Sequence, residues 1–276
     1  MATRFDVDQC KDYMRTTWLG SEFIYIRRVE STNSYLKQVS SGDLIHGTVV
    51  LADHQTQGRG QYERSWEAAP FQNLTFTLAF RPPKGERLVL LTLACASAVC
   101  QALQKYTTEQ VCIKWPNDLL VGNRKIGGLL TECTFNGPKP ERVLIGIGLN
   151  THQKQFSKDI RQSAVSLSSI AGRTFSREEL LGDLLSEIEL FYHRWHNFDD
   201  DLQRDINHRL IGYGEWVHIS VYDKMTDEKF KFIGVNEKGE LLMLNEQLDV
   251  NKFSYEQIRI ITGNEIFSEP KRGLSA

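Results

Sequence analysis

Two stretches of this chain set positive charge beside glycine, a pairing that chemistry on anionic phosphates requires. The first is Gly58-Arg59-Gly60, which runs on to Arg64-Ser65-Trp66. Glycines let backbone N–H groups approach an anion closely. The guanidiniums of Arg59 and Arg64 add delocalised charge with fork geometry. A unit charge about 4 Å from an opposite one is worth about 4 kcal/mol at an effective dielectric of about 20. The second stretch is Arg124-Lys125-Ile126-Gly127-Gly128, where Lys125 can reach a phosphate or carboxylate as a point charge. Neither is a Walker loop or a dinucleotide fingerprint, because the Gly-Lys-Ser/Thr ending and the G-x-G-x-x-G spacing are missing. Taken one at a time, each also reads as an exposed loop with solvated cations.

Between them lies Lys114-Trp115-Pro116-Asn117-Asp118. Pro116 imposes an extended corner that pins Asn117 and Asp118 at a strand exit. Asp118 could hold a magnesium ion or orient an amine; a plain turn with Asn and Asp bonded to their own backbone is the competing reading. Ser31, Thr32, Asn33 and Gln55 offer the hydroxyl and amide groups that a neutral polar ligand with both donors and acceptors needs. Helix capping competes for Ser31 and Thr32. Trp66 and Trp115 could wall a flat ligand, or pack in the core. The histidines, such as His152, His193 and His196, form no metal pattern and no Ser-His-Asp arrangement.

These groups need elements to hold them. Phe23 to Ile26 and Thr48 to Ala52 read as strands, and Asn73 to Phe80 alternates like one. From Arg87 to Tyr106 apolar residues recur at helical spacing. Val111 to Trp115 is an expected strand. Leu119 to Val121 and Lys125 to Cys133 flank Gly122-Asn123, a two-residue hairpin turn. Val143 to Asn150 reads as a buried strand, and its Gly146 and Gly148 mark a close approach of ligand or backbone. Ser176 to Glu179 fits a capping box that opens an amphipathic helix through Trp195. After Gly212-Tyr213-Gly214 the pattern changes to short strands, Trp216 to Tyr222, Lys229 to Val235, Glu240 to Leu244 and Gln257 to Ile261. The expected class is α+β: a mixed sheet flanked by helices over residues 1–212, then a small β-barrel-like domain over 213–276.

Composition sets the outer bounds. The chain has 276 residues, 41% hydrophobic and 25% charged, and carries a net charge of −2. That is enough to bury a core without staples, and no overall basic field exists to hold a nucleic-acid backbone. Five cysteines with no CxxC pair argue against a disulfide framework or a zinc site and for a reducing compartment. Without a signal-peptide core or a membrane span, the expected location is the cytoplasm, with no membrane partner.

Taken in order, Ser31-Thr32-Asn33, Gln55 to Trp66, Lys114 to Asp118, Arg124 to Gly128 and Gly146 to Asn150 resemble the biotin–protein ligases. The resemblance spans about Phe23 to Ile261. It implies a class II synthetase-like catalytic domain followed by a small SH3-like domain. It also implies a two-step reaction, in which biotin and ATP give biotinyl-5′-AMP and the biotinyl group passes to a lysine of a biotin carboxyl carrier protein. By that resemblance biotin contacts fall on Ser31, Thr32, Asn33, Gln55, Gly58, Arg59, Gly60, Gln61, Lys125, Gly128, Gly146 and Gly148. Nucleotide contacts fall on Arg59, Arg64, Trp66, Asn117, Lys125 and Asn150. Arg59, Lys125 and Asp118 carry the chemistry, with Asp118 as the magnesium ligand. ATP and Mg²⁺ are the implied co-substrate and ion, and relatives are monomers or dimers.

The chain departs from the family loop at Gln61, where arginine is usual, and at Glu63, where glycine is common. Both changes point to weaker retention of the adenylate. Only about 22 residues precede the first expected strand, too few for the three-helix DNA-binding module of some relatives, so no operator binding is expected. Two other readings compete. One is a lipoate or octanoate ligase or transferase, whose pocket would not need Gln55 with Thr32. The other is a biotin sensor without catalysis, which would not need both Arg59 and Lys125.

Overall fold

The structure is a computed structural model and describes residues 4–261, apart from residues 63, 83, 84, 86, 222, 223 and 255–257. Glu63, Tyr222 and Gln257, singled out above, lie outside the described residues. The first half runs α1 (Val7–Tyr13), β1 (Phe23–Ile26), α2 (Thr32–Gln38), β2 (Thr48–Ala52), β3 (Leu74–Phe80), α3 (Leu88–Leu103), β4 (Val111–Lys114), β5 (Asp118–Val121), β6 (Arg124–Asn136) and β7 (Lys139–Leu149). Then follow α4 (Leu167–Ala171), α5 (Arg177–His196), α6 (Leu202–Arg209), β8 (Trp216–Val221), β9 (Lys224–Val235), β10 (Leu241–Leu244), β11 (Val250–Phe253) and β12 (Ile258–Ile261).

The first seven strands form one mixed sheet in the order β1-β2-β3-β7-β6-β5-β4. Only β1 and β2 pair in parallel. On one face lies α3, buried nearly all round from Leu90 to Leu103 and packed against α5. A helix this apolar on every side is stable only inside a core. Ser176 caps α5 by accepting from the Glu179 N–H at 3.1 Å, as the capping-box pattern predicts.

The opposite face carries α2. Leu36 packs there with Leu44, Val50, Ala79 and Leu144. The buried Arg142 on β7 holds the end of α2 by donating to the Leu36, Lys37 and Val39 carbonyls at 2.6, 3.0 and 2.7 Å. A cation against C-terminal carbonyls satisfies their unpaired acceptors. With its last turn fixed in this way, α2 holds its first turn over β3 and β7. Leu144, Gly146 and Gly148 alternate along β7 and so share that face.

The second sheet is antiparallel, in the order β11-β10-β9-β8-β12. It buries Ile219, Phe232, Leu241, Met243, Ile258 and Ile260. Its β9–β10 turn is seated on the first sheet. Trp115 Nε1 donates to the Gly239 carbonyl at 3.3 Å, and a Cβ added at Gly239 would come 2.6 Å from the Leu90 backbone nitrogen. Trp115 is therefore a buried core residue and not the wall of a ligand site. Its indole N–H found a carbonyl in a distant part of the chain, which spacing in sequence cannot show.

The Gly122-Asn123 hairpin forms as expected, with Gly122 at φ +57. Strand β6 runs on to Asn136 and β7 starts at Lys139, both beyond the expected ends. Helices α1, α4 and α6 and strand β11 were not anticipated. The helices have seven, five and eight residues, too short for a helical period to stand out. Among the described residues no helix is long and apolar enough to cross a membrane.

Candidate active site

The site is built on the missing side chains of β7. Gly146 pairs with Thr77 and Leu130, and Gly148 pairs with Thr75 and Gly128. Because β7 is held by β3 on one side and β6 on the other, this floor cannot shift. Two side chains come down on it. A Cβ added at Gly146 would fall on the Asn33 amide, 3.1 Å from Cγ. One added at Gly148 would fall on the Trp66 indole, 2.6 Å from Cζ2 and 2.7 Å from Nε1. Both glycines thus permit a close approach, as their place in the strand suggests.

The polar wall rises from the start of α2. Ser31 is its N-cap and accepts from the Ser34 N–H at 3.5 Å, so the capping reading of this residue is met. Thr32 donates its backbone N–H to Gln55 Oε1 at 2.8 Å, and its hydroxyl lies 3.0 Å from the same oxygen. With Oε1 turned to Thr32, the Gln55 amide presents Nε2 towards Gly58, where an added Cβ would lie 3.3 Å away. Thr77 Oγ1 is 2.7 Å from Thr32 Oγ1 and 2.6 Å from Asn33 Oδ1. Thr32, Asn33 and Thr77 are all buried. The stretch leading to Gln55 is fixed by Asp53 at the end of β2. Asp53 is paired with the buried Arg177 at 3.0 Å and accepts from the Tyr25 hydroxyl.

The glycine loop closes on itself through backbone bonds. Trp66 N–H donates to the Gly58 carbonyl at 2.9 Å, and Gly60 N–H donates to the Arg64 carbonyl at 2.7 Å. Gly58 is required at its position, since a Cβ would come 2.5 Å from the Trp66 carbonyl oxygen. Arg59, Gly60, Gln61 and Arg64 line an open cavity of about 1120 Å³ together with Asn117, Leu130 and Glu132. Arg64 sits on the exposed rim.

Arg59 and Lys125 both meet carboxylates. Lys125 Nζ lies 2.5 Å from Asp118 Oδ1 and 5.8 Å from the centre of the Trp66 ring. Gly128 leaves room for it: a Cβ there would meet Lys125 Nζ and Asp118 Oδ1 at 3.3 Å each. Arg59 Nη2 lies 2.7 Å from Glu132 Oε2. Glu132 also takes Lys37 Nζ at 2.6 Å and Asn33 Nδ2 at 2.9 Å. Burial, the largest single influence, acts to raise the Glu132 carboxyl. The Lys37 and Asn33 hydrogen bonds and the Arg59 and Lys37 charges together outweigh it and hold it below the usual carboxylate range. Gly128 and Glu132 share one face of β6 and are about 13 Å apart at the usual rise per residue. Arg59 and Lys125 therefore face the same glycine floor from its two ends.

Asn117 and Asn150 are tied into the frame. Asn117 Nδ2 donates to the Leu129 carbonyl at 2.6 Å, and its own carbonyl accepts from the Leu129 N–H at 2.9 Å. Asn150 Nδ2 donates to the Lys125 and Val165 carbonyls at 3.4 and 3.3 Å. Two buried polar atoms here, Trp66 Nε1 and Asn150 Oδ1, have no hydrogen-bond partner among the described residues. Such atoms are rare in folded proteins and point to a ligand or water that satisfies them.

Among the described residues no group of three or more His, Cys, Asp or Glu could hold a metal. The donor set fits an ion that arrives on phosphate oxygens and borrows one carboxylate, Asp118, rather than an ion held in a protein cage. The cysteines are all free. Burial pushes the Cys95 and Cys100 thiols up to about 12, so neither is a nucleophile. Sequence reasoning missed Glu132, Lys37 and Thr77. The parity of β6 carried a signal for Glu132, which follows Gly128 and Leu130 on the same face.

A model of the Biotin/lipoate A/B protein ligase family matches residues 25–150, a span that holds every candidate residue named above. The chain is 32% identical over 182 residues to the Bifunctional ligase/repressor BirA of Bacillus subtilis (strain 168), across 65% of this chain and 56% of that protein. It thus spans little more than half the length of that relative. It is 33% identical over 167 residues to the Biotin--[acetyl-CoA-carboxylase] ligase of Paracoccus denitrificans, across 58% of this chain and 68% of that one. Its fold is similar to the biotin protein ligase from Aquifex aeolicus solved in complex with biotin and ATP, with a TM-score of 0.75 and 28% identity, covering 87% of this chain and 100% of the other. With a glycine floor, a cationic loop and a lysine hairpin all inside the matched span, the chain belongs to the Biotin/lipoate A/B protein ligase family.

Proposed function

We propose that this protein is a biotin–protein ligase that activates biotin with ATP and transfers it to a lysine of a biotin carboxyl carrier protein. One observation carries the reading. Arg59 and Lys125, 66 positions apart in sequence (125 minus 59), face one glycine floor beside a wall of amide and hydroxyl groups.

In the first step a carboxylate oxygen of biotin attacks the α-phosphorus of ATP, and the bond to the β-phosphate oxygen breaks to release pyrophosphate. Two anions must meet, so Arg59 and Lys125 screen them and stabilise the charge that builds at phosphorus. Magnesium, bound through phosphate oxygens and Asp118, would supply further charge neutralisation. Thr32, Asn33 and Gln55 offer the donors and acceptors that a ureido ring needs. Trp66 Nε1 and Asn150 Oδ1 supply one donor and one acceptor towards the nucleotide. Gly58, Gly60, Gln61 and Arg64 form the cover that keeps water from the mixed anhydride.

In the second step a neutral lysine amine attacks the acyl carbon, the bond to the AMP oxygen breaks, and the amine loses its proton. A lysine starts with a pKa of about 10.4, so it needs a base at hand. Asp118, which lies against Lys125, takes that place. The expected partners are a carrier protein and no nucleic acid or membrane. The protein acts in the cytoplasm as a monomer or homodimer.

The test is to incubate the protein with ATP, magnesium, biotin and a carrier domain and to weigh the carrier by mass spectrometry. A gain of one biotinyl group on one lysine is expected. Loading of lipoate or octanoate in place of biotin would move the protein to the neighbouring ligases. Biotin binding without release of pyrophosphate would leave a sensor instead.

A further inference from the structure

Glu132 plays no part in the reaction above, yet it is the most heavily bonded carboxylate facing the cavity. It stands on β6, paired across to Leu144 of β7. Two of its three partners, Lys37 and Asn33, belong to α2, whose far end is held by Arg142. The third, Arg59, belongs to the glycine loop. Lys37 and Asn33 thus fix the carboxylate to the wall before the loop reaches it. Arg59 sits across from Ser65 in a short ribbon closed by the Trp66–Gly58 and Gly60–Arg64 backbone bonds, so the ribbon moves with its guanidinium.

We propose that Glu132 is a positioning residue, a latch that draws the glycine loop down by its Arg59 guanidinium and aims the remaining guanidinium donors at the ligand. A guanidinium has five N–H donors in a rigid fork. One nitrogen on Glu132 sets the plane and leaves the others for a carboxylate or phosphate. The latch reduces the ordering that ligand binding must supply, so it acts on affinity and not on the chemical step. In this role the carboxylate works through Arg59.

The inference rests on the ligase reading for its kinetic half, so the test has a second half that needs no ligand. Trypsin cuts after Arg59 and Arg64 if the loop opens, and mass spectrometry locates the cuts. In Glu132→Gln, cutting at these two bonds without ligand should be about two- to fivefold faster, the range for losing a partly exposed charged pair, while other cuts keep their rates. The KM of biotin-dependent pyrophosphate release should rise by a similar factor with kcat within about twofold, and Glu132→Asp should recover part of the loss. Parental cutting rates at Arg59 and Arg64 would overturn the latch, as would a loss confined to kcat. A parent protein that releases no pyrophosphate would sink the ligase reading, while the cutting rates still decide the latch.

Discussion

Gly148→Ala gives a direct test of the site geometry. The added methyl would come 2.6 Å from Trp66 Cζ2 and 2.7 Å from Nε1, far inside the 3.5–4.0 Å or so of ordinary carbon contact. Strand β7 cannot retreat, because β3 and β6 hold both its edges. Trp66 must move by about an ångström. Its backbone N–H is bonded to the Gly58 carbonyl, so the loop follows. Overpacking of this kind costs about 1–3 kcal/mol. That cost falls on the arrangement that binds ligand, so the KM for ATP or biotin should rise about 5- to 150-fold. Global stability should change far less, since the displaced loop is partly exposed. Pyrophosphate release measures the first quantity and thermal unfolding the second. In a Trp66→Ala background, adding Gly148→Ala should raise KM little further, because the two residues are in contact and their effects do not add. A Gly148→Ala protein whose KM stays within about twofold of the parent would refute the floor-and-indole arrangement.

Three further outcomes follow from the same geometry. Asp118→Asn should slow single-turnover transfer from preformed adenylate by about 10- to 100-fold if Asp118 assists the lysine; an unchanged rate excludes that role. Gln61→Arg should slow the release of biotinyl-AMP, because a further cation joins Arg59 and Arg64 on the cavity side of the loop; equal release rates for both proteins would reject it. Glu189 accepts from the Thr17, Trp18 and Leu19 N–H groups at 2.7, 3.0 and 2.8 Å and staples the N-terminal segment to α5. Burial acts to raise its pKa, and these donors outweigh it and hold it below the usual range. Its contribution to stability is then complete above the unfolded-state pKa of about 4.3 and is lost as pH falls through the lower folded value. Thermal unfolding from pH 7 down to about pH 3 should show this loss in the parent and a flatter curve in Glu189→Gln; parallel curves would contradict it.

The second sheet bears on the site through the Lys114 to Asp118 corner. Ile211 N–H donates to the Ile113 carbonyl at 2.9 Å along the outer edge of β4. At the end of that strand Trp115 is tied to the Gly239 carbonyl. Arg87, at the start of α3, donates to the Glu237 and Trp195 carbonyls at 3.2 and 3.0 Å. The corner that presents Asp118 to Lys125 is thus packed from behind by the C-terminal strands. Sequence left Trp115 between a ligand wall and core packing; tertiary packing decided for the core and tied it to Gly239.

Local patterns in the chain already determined a good deal. Alternation in Asn73 to Phe80, the apolar run of α3, the Gly122-Asn123 turn and the Ser176 cap are short-range effects, and each formed where residues within a few positions of one another said it would. The same holds for Gly146 and Gly148, where side chains come down close on the strand. Short elements such as α1, α4 and β11 had too few residues to show a period. Only the tertiary structure decided which cation meets which carboxylate. Arg59 reached Glu132, 73 residues away, and Thr32 reached Gln55 and Thr77, 23 and 45 residues away. Those pairings depend on strand register and on the order β3-β7-β6, which set what lies across from what. Sequence can name a residue's chemistry from its own atoms, but its partner is chosen by the packing of the whole sheet.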